Sequence, residues 1–270
     1  MLSLGGLEYE TSGEGEAVLL IHGAHIAGSF LPLLQEPALA RCRLIRYHRR
    51  GFAGSAPHTG PFSCADQARD ALQILEQLGA GQAHLVGHSF GACIALEMAR
   101  QAPNAVQSLV LLDPAPLRTQ SDQAARQAVQ PIVERYAGGD APGAVDAFLS
   151  LVGGKDWRTR IDALVPGAEQ QAVRDAATFF EVELPAIGGW SFDAAAARGI
   201  TQPALHVIGT GAGPAAAERR QLVHDWLPQT EDFDVEANHL LHFYSREAAT
   251  LIAVGIADFL RRHSCPELAD

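Results

Sequence analysis

A chain of 270 residues is long enough to bury a substantial core without disulfide staples, and it fits one large α/β domain or a core carrying an insertion. Its 20 Lys and Arg against 31 Asp and Glu give a formal net charge of -11, which repels phosphate backbones and leaves no basic stripe for nucleic acid. The N-terminal MLSLGGLEYE has no basic stretch followed by an apolar one, and no run approaches the roughly 20 apolar residues of a membrane span. The four cysteines, Cys42, Cys64, Cys93 and Cys265, show no CxxC or metal-ligand spacing and read as small buried apolar residues of a reducing compartment. A cytoplasmic protein with small-molecule partners, and with neither nucleic acid nor membrane as partner, is expected. Composition leaves the oligomeric state open, a homodimer included.

Along the chain, short β-rich apolar runs alternate with longer helical segments. AVLLIHG (17 to 23), CRLIRYH (42 to 48), AHLVGH (83 to 88), SLVLLD (108 to 113) and ALHVIG (204 to 209) read as buried parallel strands. That alternation predicts a doubly wound, mostly parallel sheet. Residues 63 to 79 place Ala68, Ala71, Leu72, Leu75 and Leu78 at helical spacing, and 90 to 102 form a second helix closed by Pro103. From 117 to 198 the pattern becomes Ala-, Gln- and Gly-rich helical pieces without a convincing strand. This segment is expected to be an inserted helical cap on a core made of 1 to 116 and 199 to 270. A helix near 214 to 227, a strand near 230 to 236 and a final amphipathic helix of about 244 to 262 complete the chain.

Gly87-His88-Ser89-Phe90-Gly91 stands directly after a strand and directly before a helix, the context that gives a G-x-S-x-G match its meaning. A sharp strand-to-helix turn forces its central residue into a strained backbone conformation, so residues two before and two after it must lack bulk. Gly87 and Gly91 satisfy that requirement. Ser89 is then held clear of the sheet with the positive end of a helix beneath it, and the Phe90 N–H points where an oxyanion would form. A phosphate-binding loop would want more glycines and a lysine.

With Ile21-His22-Gly23-Ala24 after the first buried strand, Tyr47-His48-Arg49-Arg50-Gly51-Phe52-Ala53-Gly54-Ser55, the elbow and Ala237-Asn238-His239 before a terminal helix, the chain resembles the α/β-hydrolase family over nearly its whole core. The resemblance implies that the loop after the His-Gly pair supplies a second oxyanion N–H, which falls on Ala24, and that the His22 side chain orients that loop. It also selects His239 among the 11 histidines, because the family carries its base in the loop ahead of the last helix and last in the order Ser, acid, His. His242 is the nearest competitor and would pack or line the pocket.

The acid departs from the commonest pattern. Where many members carry Asp, this chain reads Gly209-Thr210-Gly211-Ala212-Gly213-Pro214, with no carboxylate until Glu218. The family's second solution places the acid at the end of the preceding strand, and Asp113 stands there, 24 positions after Ser89, as in dehalogenases and fungal resorcylic-lactone hydrolases. The other reading of these residues is that Asp113 caps a turn before Pro114 and that Ser89 and His239 work with water or Thr210.

A serine nucleophile points to acyl chemistry on an ester or lactone, with an acyl-enzyme hydrolysed by water that His239 activates. No metal or organic cofactor is implied, since H-E-x-x-H, P-loop and dinucleotide fingerprints are all missing from the sequence. Trp157, Phe179, Phe180, Trp190 and Phe192, with Phe30, Phe90 and Leu240, are the apolar candidates for a pocket, although cap helices must also pack. Trp190, near the return from cap to core, is expected to overlook Ser89, with His25 at the pocket mouth and Leu240 beside His239. Three other readings remain: a carbon-carbon bond hydrolase, which a co-located arginine or asparagine would favour; a cofactor-free oxygenase; and a non-catalytic small-molecule receptor.

Overall fold

The computed structural model describes residues 1 to 264 except 116, 118 and 213, so Gly213 and Cys265 lie outside the described residues. The strands are β1 (Leu2–Leu4), β2 (Leu7–Ser12), β3 (Ala17–Ile21), β4 (Arg43–Tyr47), β5 (Ala83–His88), β6 (Val106–Leu112), β7 (Ala204–Gly209) and β8 (Thr230–Val235). They form one sheet in the order β1-β2-β4-β3-β5-β6-β7-β8. Pairing is parallel from β4 to β8 and antiparallel only at the β1-β2 and β2-β4 edge. Every residue of β3, β5 and β7 is buried, which is why these strands read as unbroken apolar runs: helices cover both faces.

The helices are α1 (Leu31–Leu34), α2 (Cys64–Gln77), α3 (Phe90–Gln101), α4 (Gln120–Ala137), α5 (Ala141–Gly153), α6 (Trp157–Leu164), α7 (Ala168–Arg174), α8 (Leu184–Gly189), α9 (Ala194–Ala197), α10 (Pro214–Trp226) and α11 (Arg246–Arg262). Alternate residues of β3 serve opposite faces, as the pleat requires. Leu19 and Ile21 pack with α2, α3 and α10, whereas Val18 and Leu20 pack with α11. Ser63 opens α2 in a reciprocal capping box with Asp66, and Ser245 caps α11 through the Ala248 N–H.

Between β6 and β7 the described residues are helical without a strand, and α4 to α7 gather around a third apolar cluster containing Ile132, Val145, Trp157 and Phe179. The tail of this segment packs differently from expectation. Trp190, Phe192 and Ala197 join the core cluster of α2 and α3, with Trp190 stacked on Phe192 and Phe192 edge-on to Trp226. Cys64 and Cys93 are buried as expected of small apolar residues, but Cys42 is only half-buried. Among the described residues, no helix is long and apolar enough to cross a membrane.

Candidate active site

The site is assembled at the C-terminal ends of the parallel strands, where an open α/β sheet offers its crevice. Ser89 follows β5 with φ 53° and ψ -121°, a conformation L-residues rarely adopt, and hands the chain straight to α3. The flanking glycines make this turn possible. A Cβ on Gly91 would collide with the Ile21 carbonyl, and one on Gly87 with the Gly91 carbonyl. Phe90, first in α3, contributes one of the backbone N–H groups that a helix start leaves without an intrahelical partner.

His239 lies in the loop between β8 and the short turn Leu241–Phe243. Its Nε2 is 3.0 Å from Ser89 Oγ and its Nδ1 is 2.7 Å from Asp113 Oδ2. These partners assign the proton: Nδ1–H donates to the carboxylate, and the serine hydroxyl donates to Nε2. Asp113 follows β6, is fully buried, and has φ 42°. Burial opposes its ionisation, but the hydrogen bond and charge of His239, then the charge of Arg219, hold its carboxyl well below the usual carboxylate range. Arg219, from α10, donates through Nε to Oδ1 at 2.7 Å and through Nη2 to Oδ2 at 3.3 Å.

The geometry also explains the missing loop acid. Cβ atoms on Gly209 and Gly211 would lie 2.6 Å and 2.9 Å from the Ala237 carbonyl, so the histidine loop fills the space side chains there would need. Thr210 turns its hydroxyl to the Val235 carbonyl at 3.4 Å, and Asp113 is the residue that meets His239.

On the opposite side of Ser89, the loop after β3 is pinned by its own histidine. His22 Nδ1–H donates to the Gly23 carbonyl at 2.8 Å, while its Nε2 accepts the Arg49 N–H at 2.9 Å. Burial and the neighbouring Arg49 keep the His22 imidazole neutral by lowering its pKa well below 6.5. Arg49 adds donors to the His22 carbonyl at 3.0 Å and the Gly23 carbonyl at 2.7 Å, and its guanidinium pairs with buried Glu183 next to α8. A Cβ on Gly23 would come within 3.1 Å of Ser89 Cβ, which measures how closely this loop approaches the elbow. Beneath the site, His88 Nε2–H donates to the His239 carbonyl at 2.8 Å.

Ser89, His239, Ala24 and Phe90 line one cavity of about 450 Å³, roofed by α4, α5 and α8. The other sequence-based expectations for the pocket need correction. Among the described residues, His25 is not in its lining: it is fully buried one layer behind, against Phe148 and Phe179, with burial pushing its pKa down to about 3. Leu240 turns away to pack against Gly153, the alternative that suits a buried leucine. Trp190 is drawn into the core by its stack on Phe192 and borders a different depression, with Glu97 and Arg100. Phe179 and Phe90 do line the cavity. Missed by sequence reasoning were Arg219 and the inner face of α4, where Arg126, Val129, Gln130 and Val133 recur at i, i+3, i+4 and i+7. That spacing was a readable signal, but the residues at it are only half apolar.

The α/β hydrolase fold model matches residues 16 to 175, more than half the chain. The chain belongs to the α/β-hydrolase fold family. A pimeloyl-[acyl-carrier protein] methyl ester esterase of Methylococcus capsulatus is 40% identical over 111 residues, 40% of this chain and 40% of that protein. The chain therefore spans about two fifths of the length of the first curated relatives it matches. Two solved structures share the fold over nearly the whole chain. They are the enol-lactonase from Burkholderia xenovorans LB400 (TM-score 0.78, 21% identity, 94% of this chain and 96% of that one) and a thermophilic esterase from Thermogutta terrifontis (0.80, 20%, 96% and 94%). At these identities the likeness bears on the fold alone.

Proposed function

We propose that this α/β hydrolase cleaves a carboxylic ester or lactone of a small, largely apolar substrate through an acyl-enzyme on Ser89. The observation that carries the reading is the unbroken series Ser89 Oγ, His239 Nε2, His239 Nδ1, Asp113 Oδ2, with links of 3.0 and 2.7 Å, opening into an apolar cavity. Ser89 Oγ attacks the carbonyl carbon as its proton passes to His239 Nε2. The Ala24 and Phe90 N–H groups take the oxyanion, and Asp113 supports the imidazolium. Collapse of the tetrahedral intermediate breaks the ester C–O bond, and His239 returns the proton to the leaving alkoxide. A water, deprotonated by the same nitrogen, then attacks the acyl carbonyl and frees the carboxylate and Ser89. A lactone opens by the same steps, its alcohol remaining tethered.

The esterase and lactonase names among the relatives and neighbours support ester or lactone chemistry, as does the serine itself. Carbon-carbon bond hydrolysis is the second reading, favoured by one observation: an arginine, Arg126, lines the cavity. The test is fluorophosphonate labelling and turnover of p-nitrophenyl esters by wild type, Ser89→Ala, Asp113→Asn and His239→Ala. Labelling confined to Ser89, with turnover collapsing in the Ser89 and His239 variants and falling steeply in Asp113→Asn, supports the proposal. A folded wild type that neither labels nor turns over any ester refutes it, and labelling without ester turnover moves the reading to carbon-carbon cleavage.

A further inference from the structure

The cavity wall contributed by α4 changes character along its length. Toward the helix start its lining side chains run Val133, Gln130, Val129 and Arg126, so at 1.5 Å per residue the cationic Arg126 stands about 10 Å along the axis from Val133. Arg126 and His239 are the basic side chains among the described lining residues. The guanidinium is exposed and forms no ion pair with any described residue, whereas Arg135, on the same helix, is paired with Asp140. Gln130 is already engaged, donating to Glu134 at 3.3 Å. On the facing wall Leu151 lines the same cavity and leaves 45% of its surface open, although leucine gains by being covered. The mouth of the cavity thus combines an uncovered apolar surface with a cation that is unpaired among the described residues, in a protein of net charge -11 that would otherwise repel anions.

We infer that the substrate is an ester or lactone whose apolar chain carries an anionic group, a carboxylate held by Arg126 while the chain covers Leu151 and Val129. The inference rests on the hydrolase reading of Ser89 and names the substrate class that its pocket selects. The carboxylate takes no part in bond cleavage, so Arg126 contributes binding in ground and transition states alike, and its effect belongs in KM.

The experiment compares p-nitrophenyl hemiesters of dicarboxylic acids, adipate through sebacate, with uncharged p-nitrophenyl esters of matched chain length. The proteins are wild type, Arg126→Gln, Arg126→Glu and, as a charge-matched change on an exposed residue outside the cavity lining, Arg198→Gln. The expected result is a ratio of kcat/KM, charged over uncharged ester, that falls about tenfold in Arg126→Gln through KM, and further in Arg126→Glu. Arg198→Gln keeps the wild-type ratio, and added salt narrows it. If both Arg126 variants keep the wild-type ratio while Ser89 still takes a fluorophosphonate, the inference is overturned and the hydrolase reading stands. If Ser89 of the folded wild type fails to label, both fall together.

Discussion

Arg219 shares the buried carboxylate of Asp113 with His239, donating to both of its oxygens while His239 donates to Oδ2. Arg219 is a permanent counter-charge that helps a fully buried carboxylate stay ionised. Arg219→Met is therefore expected to destabilise the fold by about 3 kcal/mol, the low end for breaking a buried pair, since Asp113 retains its bond to His239. Urea denaturation measures this. In Arg219→Met/Asp113→Asn the loss should be smaller than the two single losses added; strict additivity would mean that the pair is not energetically coupled.

The glycines flanking the elbow predict a graded response to a single methyl group. In Gly91→Ala the new Cβ meets the Ile21 carbonyl, a backbone atom of the central strand that cannot yield, and a loss of about 3 kcal/mol or outright failure to fold is expected. In Gly23→Ala the contacts are 3.0 to 3.1 Å, to His88 Nδ1, the His88 carbonyl and Ser89 Cβ, and a shift of a few tenths of an ångström relieves them. Stability should fall by only about 1 kcal/mol, but the shift separates Ala24 from Ser89 and should lower kcat about 10- to 100-fold. Thermal unfolding and steady-state kinetics together test this, and a folded Gly23→Ala with undiminished kcat would show that Ala24 is not an oxyanion donor.

The sheet was legible because burial on both faces leaves β3, β5 and β7 as unbroken apolar runs, whereas the short edge strands β1 and β2 carry no such mark. The grouping of Ser89, Asp113 and His239 was legible because Ser89 and Asp113 stand directly after β5 and β6 and His239 in the loop that follows β8, and parallel strands bring those ends together. Arg219 was not, since nothing in ERRQL distinguishes the arginine that turns inward from Arg220, which pairs with Asp234 at the surface. Which apolar side chains line the pocket was only partly legible, because apolar bulk marks packing and substrate contact alike: Phe90 and Phe179 line the cavity, Trp190 and Leu240 do not. In the fold, that bulk was used first for packing, as at Trp190 and Leu240, while half-polar α4 faced the cavity.

The Arg49–Glu183 pair joins the loop after β3 to the roof, and its two members are not equivalent. Burial raises the Glu183 pKa while Arg49 opposes the rise, so a Glu183 deprived of Arg49 takes up a proton and limits its own cost. Arg49 in addition holds the His22 and Gly23 carbonyls. Arg49→Met should therefore cost about 3 kcal/mol or more and Glu183→Gln less, with kcat reduced more than KM is raised in Arg49→Met because the loop presenting Ala24 loosens. Equal losses in the two variants, or an effect in KM alone, would place Arg49 in simple packing.

Acid sensitivity follows from histidines locked away from water. Burial is the leading cause that lowers the pKa of His22, His25, His88, His206 and His242, to about 3 for His25 and His88 and about 4 for His206. Once unfolded, each titrates near its ordinary value of about 6.5. Below that value the unfolded chain binds more protons than the folded one, so stability falls as pH falls, and it continues to fall until the folded-state pKa is reached. Each histidine contributes up to about 1.4 kcal/mol per pH unit, and five contribute up to about 7, against a typical total stability of about 5 to 15 kcal/mol. Cooperative acid unfolding is expected between about pH 4 and 6, before Asp113 protonates in the folded state. Urea midpoints taken from pH 8 to pH 5 measure the slope. His242→Phe, which keeps the stack on Phe30 and removes one buried imidazole, should flatten that slope by at most about one fifth, since burial also lowers His48, His58 and His84. An unchanged slope in this variant would mean that solvent reaches His242 in the folded protein.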